Sequence, residues 1–324
     1  MMSERSVLIV STVADAATDE VVRHLAARGV PHRRLQTEDY PFARTFAYRP
    51  QPNIESWMVS DGEPISPPTT IWYRRFRTPA KPEGMDDGIY TFCLHETRAA
   101  LLGSLMSRDV RWMSHPAAIW QAEFKPFQLS LAAHLGLSIP RTIVTNDPAT
   151  IRTAFADFGS MVVKPTRTGH LIHKGQEFAI FTSRVLEEHL EQLDNARLSP
   201  AIYQALVPKR FDLRITIVGQ RVFAAAIDSQ SDPMAMTDWR QTNNPQLPHR
   251  PFSVPEAVTS LLLRLMGTLR LTFAAIDMIQ TPEGKYVFLE VNPNGQWLWL
   301  DDRLGLGISS AVAEWLAGPT PVCA

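Results

Sequence analysis

Two β-like runs, residues 274–280 and 285–291, face each other across Thr281-Pro282-Glu283-Gly284. Turn residues between runs rich in branched and aromatic side chains read as an antiparallel hairpin. A hairpin constrains the chain strongly, because side chains alternate between faces and one register assigns every residue of both strands. With Gln280 and Lys285 flanking a four-residue turn, Asp277 stands opposite Phe288 and Glu290 opposite Ala275. Glu290 and Asn292 then share a face, and Asp277 joins them across the ladder. Ile276, Met278, Val287, Leu289 and Val291 are expected to face a core.

Three oxygen-bearing side chains on one face repel unless a positive charge sits among them. An all-oxygen set suits Mg²⁺ or Mn²⁺ bound with substrate phosphates, while a merely solvated acidic face stays open as the plainer reading. A basic group complements them: Lys125 near a helix start, Lys164 ending Val162-Val163-Lys164, and Lys174 in a glycine-flanked loop from Gly169 to Gly175. Such a loop lets backbone N–H groups and a lysine wrap phosphate oxygens, although each lysine alone also fits a solvated surface. On the strand 211–218, Asp212 and Arg214 share one face and Leu213, Ile215 and Ile217 the other, so Arg214 either reaches a phosphoryl group or forms a surface ion pair. His170 and His173 receive no role.

The start of the chain reads strand, helix, strand: residues 6–11, a helix capped around Thr18 and ending at Gly29, then residues 34–36. Neither Gly-x-Gly-x-x-Gly nor a Walker-type phosphate loop is present, so a dinucleotide fold of that type and an ordinary P-loop enzyme lose support. Residues 50–68 read as loops or a small hairpin, 88–107 as a long helix, 116–135 as two helical pieces, and Asn146-Asp147-Pro148 as a helix start. At 324 residues with 45% hydrophobic content, the chain is long enough for two or three domains. Its 32 basic against 33 acidic residues argue against coating nucleic acid or an acidic membrane. Cys93 and Cys323 are too few for a disulfide framework, no signal peptide or membrane span is read, and a cytoplasmic protein is expected.

In order, Lys125, Lys164, Asp212-x-Arg214, Asp277 and Glu290-x-Asn292 resemble the ATP-grasp ligases. Longer phrases narrow the resemblance to the graspetide, microviridin-type macrocyclases that mature ribosomal peptides. These phrases are Ile71-Trp72-Tyr73-Arg74-Arg75, Ala122-Glu123-Phe124-Lys125-Pro126-Phe127-Gln128-Leu129, Asp238-Trp239-Arg240 and the run from Glu290 to Trp297. The resemblance implies an α/β ATP-grasp fold with a Rossmann-like pre-ATP-grasp domain over 1–114, a central subdomain over 115–202 and a C-terminal subdomain over 203–324, with ATP between the last two.

It further implies that Lys125 and Lys164 hold ATP phosphates under the Gly169 loop carrying Lys174, that Gln204 and Val207 meet adenine, and that Asp212 belongs to the nucleotide site. Asp277, Glu290 and Asn292 would hold two Mg²⁺ ions, with Arg214 and Arg240 stabilising charge in the transfer. The implied activity is ADP-forming activation of Asp or Glu side chains in a precursor peptide of leader plus core, closing esters with Ser or Thr or amides with Lys. Residues 228–250 are expected to help recruit the leader, and related enzymes are often homodimers. The rivals are an ATP-grasp ligase that joins amino acids or glutamylates a protein, and a non-catalytic ATP-binding scaffold.

Overall fold

A computed structural model describes residues 5–50, 58–167, 169–174 and 176–318. Gly175 and Cys323 lie outside these described residues. The chain divides into two compact units, Met1–Pro116 with Gly307–Ala324, and Ala117–Leu306.

The first unit is built on a parallel sheet, ordered His32–Gln36, Val7–Ser11, Thr70–Tyr73, Arg111–Met113. Val7–Ser11 and Thr70–Tyr73 are buried throughout, as expected of strands covered on both faces. Helix Ala16–Ala27 begins earlier than the Thr18 cap expected from sequence: Asp15 is the cap, its carboxylate accepting from Thr18 N. Helix Asp87–Met106 is capped by Asp86, and Ile308–Ala317 packs on Ala16–Ala27. Strands Phe46–Tyr48, Met58–Ser60 and Glu63–Ile65 form a small antiparallel sheet.

Among the described residues the second unit holds two larger antiparallel sheets and a two-stranded one. One is ordered Ser183–Val185, Met161–Lys164, Ala201–Ala205, Thr142–Thr145, with helix Pro148–Phe158 supplying Ile151 and Ala154 to its core. The other is ordered His249–Pro251, Arg221–Ile227, Phe211–Val218, Phe273–Gln280, Tyr286–Asn292, and helix Lys125–His134 packs on its last strand. No helix among the described residues is long and apolar enough to cross a membrane.

Two further expectations change. The stretch after Gly169 is not a loop but a hairpin, His170–His173 paired with Gln176–Ala179. In the C-terminal hairpin the register differs, because Gln280 pairs with Tyr286 and a bulge leaves Leu289 as an extra residue; Asp277 therefore pairs with Glu290 rather than Phe288, and Ala275 with Asn292 rather than Glu290. The bulge also shifts the alternation. Phe288 pairs with core-facing Met278 and is fully buried, whereas Val287 pairs with Ile279 and Leu289 lines a cleft.

Candidate active site

The centre of the second unit is assembled by strand pairing. Arg214 lies beside Asp277 and Asp212 beside Ile279, while Glu290 lies across from Asp277 on its other side. Arg214 Nη1 donates to both Asp277 oxygens at 2.9 and 3.1 Å, and its Nη2 donates to the Gln296 carbonyl at 3.0 Å. Asn292 Nδ2 spans the two carboxylates, 3.1 Å from Asp277 Oδ2 and 3.1 Å from Glu290 Oε1. Lys125, at the helix start, brings Nζ to 2.9 Å from Glu290 Oε2. After this strand residue 295 has no room for a side chain: a Cβ there would stand 2.4 Å from Ala275 Cβ and 2.9 Å from Arg214 Nη2.

The same pairing sets the electrostatics. Burial would raise Glu290, but Lys125, then Lys164 and Arg240, outweigh it and hold this carboxyl well below the usual range. Burial pushes Asp277 up; Arg214 opposes this and the Glu290 charge adds to it. Lys164, only 7% exposed, donates to the bulged Leu289 carbonyl at 3.2 Å. It falls to about 8, chiefly from burial, with Glu290 opposing and Lys125 adding a like charge. Burial also works against the Arg240 cation, yet Asp238 accepts from its Nε and Nη2 at 2.8 and 2.7 Å and holds its pKa above the ordinary value. Neighbouring titratable groups driven in opposite directions are a mark of reactive sites.

A cavity of about 840 Å³ opens on these groups, lined by Lys125, Lys164, Arg214, Arg240, Glu290 and Asn292 together with Gly169, Trp239 and Trp299. Beside it a narrower cleft shares Lys164, Arg240 and Glu290 and is walled by Val162, Leu206, Val207, Ile279 and Leu289. Gln204 lines the cleft, its Nε2 donating to Thr142 Oγ1 at 2.9 Å. Asp212 also lines it, pushed up by burial while Lys209 opposes, its Nζ 2.8 Å from Oδ2 and 3.0 Å from Oδ1, and Ser229 donates to the same Oδ2. An apolar slot leading to a cationic, carboxylate-edged chamber suits a nucleotide whose base enters the slot and whose phosphates reach the chamber. Two carboxylates and an amide at one place form an oxygen donor set that fits Mg²⁺.

Comparison with known proteins agrees. A family model described as the MvdD pre-ATP grasp domain matches residues 6–119. Beta-citrylglutamate synthase B from Homo sapiens is 27% identical over 233 residues, 68% of this chain and 56% of that protein, so the chain spans about half the length of this curated relative. A RiPP-associated ATP-grasp ligase from Chryseobacterium gregarium, solved with ADP and a leader and core peptide, superposes with a TM-score of 0.88 at 30% identity over 97% of this chain and 98% of that one. The macrocyclase MdnC of Microcystis aeruginosa MRC, bound with precursor peptide MdnA, gives 0.86 at 32% identity over 96% and 98%. The chain belongs to the graspetide ATP-grasp ligases.

In this ATP-grasp ligase the structure gathers Lys125, Lys164, Gly169, Gln204, Val207, Asp212, Arg214, Arg240, Asp277, Glu290 and Asn292 at one pair of adjoining cavities. Lys174 is not among them. It is exposed at φ 50° in the hairpin turn and lines neither cavity. His173 is exposed, and the His170 side chain lies outside what is described.

Sequence reasoning missed Lys209, whose only signal was its three-residue spacing from Asp212, and gave no role to Asp238. Asp238 accepts from Thr182 N at 3.1 Å while Gln241 donates to the Thr182 carbonyl at 2.8 Å, tying the 228–248 excursion to the residue before strand Ser183–Val185.

Proposed function

We propose that this ligase activates Asp or Glu side-chain carboxylates of a ribosomal precursor peptide with ATP, releasing ADP, and closes macrocycles through Ser or Thr esters or Lys amides. The observation that carries the reading is the convergence of Glu290 and Asn292 with four cations on one chamber, with Asp277, bridged to Glu290 by Asn292, lining the apolar cleft beside it. Solved relatives at 30 and 32% identity that bind leader, core or precursor peptides supply the substrate class. Cytoplasmic location and a homodimer belong to the same reading.

Gln204 and Val207 receive adenine in the cleft, with Asp212 fixed there by Lys209. Lys125 and Lys164 take the phosphates, and the Gly169-flanked hairpin carrying Lys174 closes over them. Asp277, Glu290 and Asn292 would hold two Mg²⁺ ions, which when bound would neutralise charge on the phosphates. Arg214 and Arg240 steady the γ-phosphoryl group as it passes to a peptide carboxylate oxygen and the bond to ADP breaks. The peptide hydroxyl or amine then attacks the acyl carbon, the bond to phosphate breaks, and the nucleophile's proton leaves with the released phosphate; each ring costs the peptide one water. The protein contributes position and charge and no covalent nucleophile. Residues 228–250, which reach the cavities through Trp239 and Arg240, help seat the leader in this reading.

The test is mass spectrometry of a short Thr- and Asp/Glu-rich peptide encoded beside the gene, incubated with enzyme, ATP and Mg²⁺. Loss of one water per ring with matching ADP is expected. An unchanged peptide alongside ligation of free amino acids would instead support a small-acid ligase, the activity class to which the name of the curated relative points.

A further inference from the structure

One buried polar side chain at the chamber wall has no part in the chemistry above. Gln128, one turn into helix Lys125–His134, is 2% exposed and lines the large cavity. Its amide is fully used. Oε1 accepts from Val291 N at 2.9 Å, Nε2 donates to the Val291 carbonyl at 2.9 Å, and the second N–H of Nε2 goes to the carbonyl of Ala122. Tyr286–Asn292 is the edge strand of its sheet, so Gln128 takes the place of a further strand at one residue.

That residue is Val291, between Glu290 and Asn292. Ala122 ends the preceding helix Pro116–Ala122, and Lys125, one turn before Gln128, contacts Glu290. One side chain therefore joins three backbone points around the carboxylate pair.

We propose that Gln128 is a positioning residue, a clamp that fixes the helix start against strand residues 290–292 so that Lys125, Glu290 and Asn292 keep the spacing that metal-bound nucleotide requires. The proposal rests on the reading of Glu290 and Asn292 as Mg²⁺ ligands. A glutamine serving only to stabilise packing would affect all nucleotide binding together with folding. A clamp on residues 290–292 would affect the metal-dependent part, because the base cleft is built from Gln204, Val207 and Ile279.

The experiment is calorimetric titration of ADP with and without Mg²⁺ into the wild type and Gln128→Met, each checked by thermal melting. Expected is a Mg²⁺ enhancement of ADP affinity reduced about tenfold, the order set by two or three lost hydrogen bonds, with a smaller loss of metal-free affinity through the displaced Lys125. Gln128→Glu keeps the acceptor for Val291 N and removes both donors; it repeats the test if the methionine variant does not fold. Full Mg²⁺ enhancement in a folded variant, or equal loss with and without metal, would overturn the clamp. A wild type whose ADP affinity ignores Mg²⁺ would overturn the metal reading and the clamp with it.

Discussion

Each unit buries a carboxylate among cations, and the two clusters differ in one respect. In the first unit Asp15 is 4% exposed, 3.4 Å from Arg74 Nε and 3.4 Å from Arg75 Nε, and also accepts from Ser11 and Thr18 N. Burial opposes its charge, the two arginines outweigh burial, and the carboxyl sits below its usual range. One acid thus meets several donors of the protein's own. In the second unit Asp277 and Glu290 pair directly across a ladder, their pKa values are pushed in opposite directions, and both adjoin a cavity. Buried charge by itself is a device for holding a helix end to a sheet. Two like charges forced together beside open space are poised for a ligand.

Substitutions separate the two roles. The largest effect belongs to Glu290→Gln, which keeps the shape and removes one of the paired charges. ADP release with peptide should fall about a thousandfold while the melting temperature holds or rises, as for lost electrostatic stabilisation of a transition state. Near-normal turnover would remove Glu290 from the metal site and make the two clusters alike. Asp15→Asn should do the reverse: a loss of about 3 kcal/mol in urea unfolding, the order for breaking a buried ion pair, with ADP affinity within about twofold of wild type. Lost nucleotide binding without lost stability would break the comparison from the other side.

Local chemistry was readable in the sequence and tertiary choice was not. Asp147 caps Pro148–Phe158 as expected, because a cap and its helix lie within four residues. The sharing of one face by Glu290 and Asn292 was legible, since alternation within a strand needs no partner; Asp277 joins them although the register differs, because the pairing there moved by two residues and two residues keep the face. The bulge at Leu289 was invisible: Phe288 and Leu289 are both apolar, and what separates them is remote, Phe288 N donating to the Ser138 carbonyl and the Leu289 carbonyl accepting from Lys164. The glycine-flanked Lys174 drew notice while Lys209, with a buried partner 2.8 Å away, did not. Gly295 shows the same limit, for the Cβ collision that demands glycine involves Ala275 and Arg214, both far off in sequence.

The smallest effect sharpens the comparison through pH. The first cluster uses arginine, which stays charged, whereas the second includes Lys164, lowered to about 8 chiefly by burial. Glu290 and Asp277 face it as anions, Lys125 and Arg240 as cations. Below pH 8 the ammonium is present to meet phosphate; above it the free protein loses that proton, and nucleotide must restore it in order to bind. Affinity is therefore highest on the acid side of 8 and falls as pH rises, by about tenfold between pH 7 and pH 9 by linkage. Lys164→Arg should flatten this slope in calorimetric ADP titrations at the two pH values. A wild-type affinity that stays level over that range would mean Lys164 does not meet the phosphates as a titrating cation.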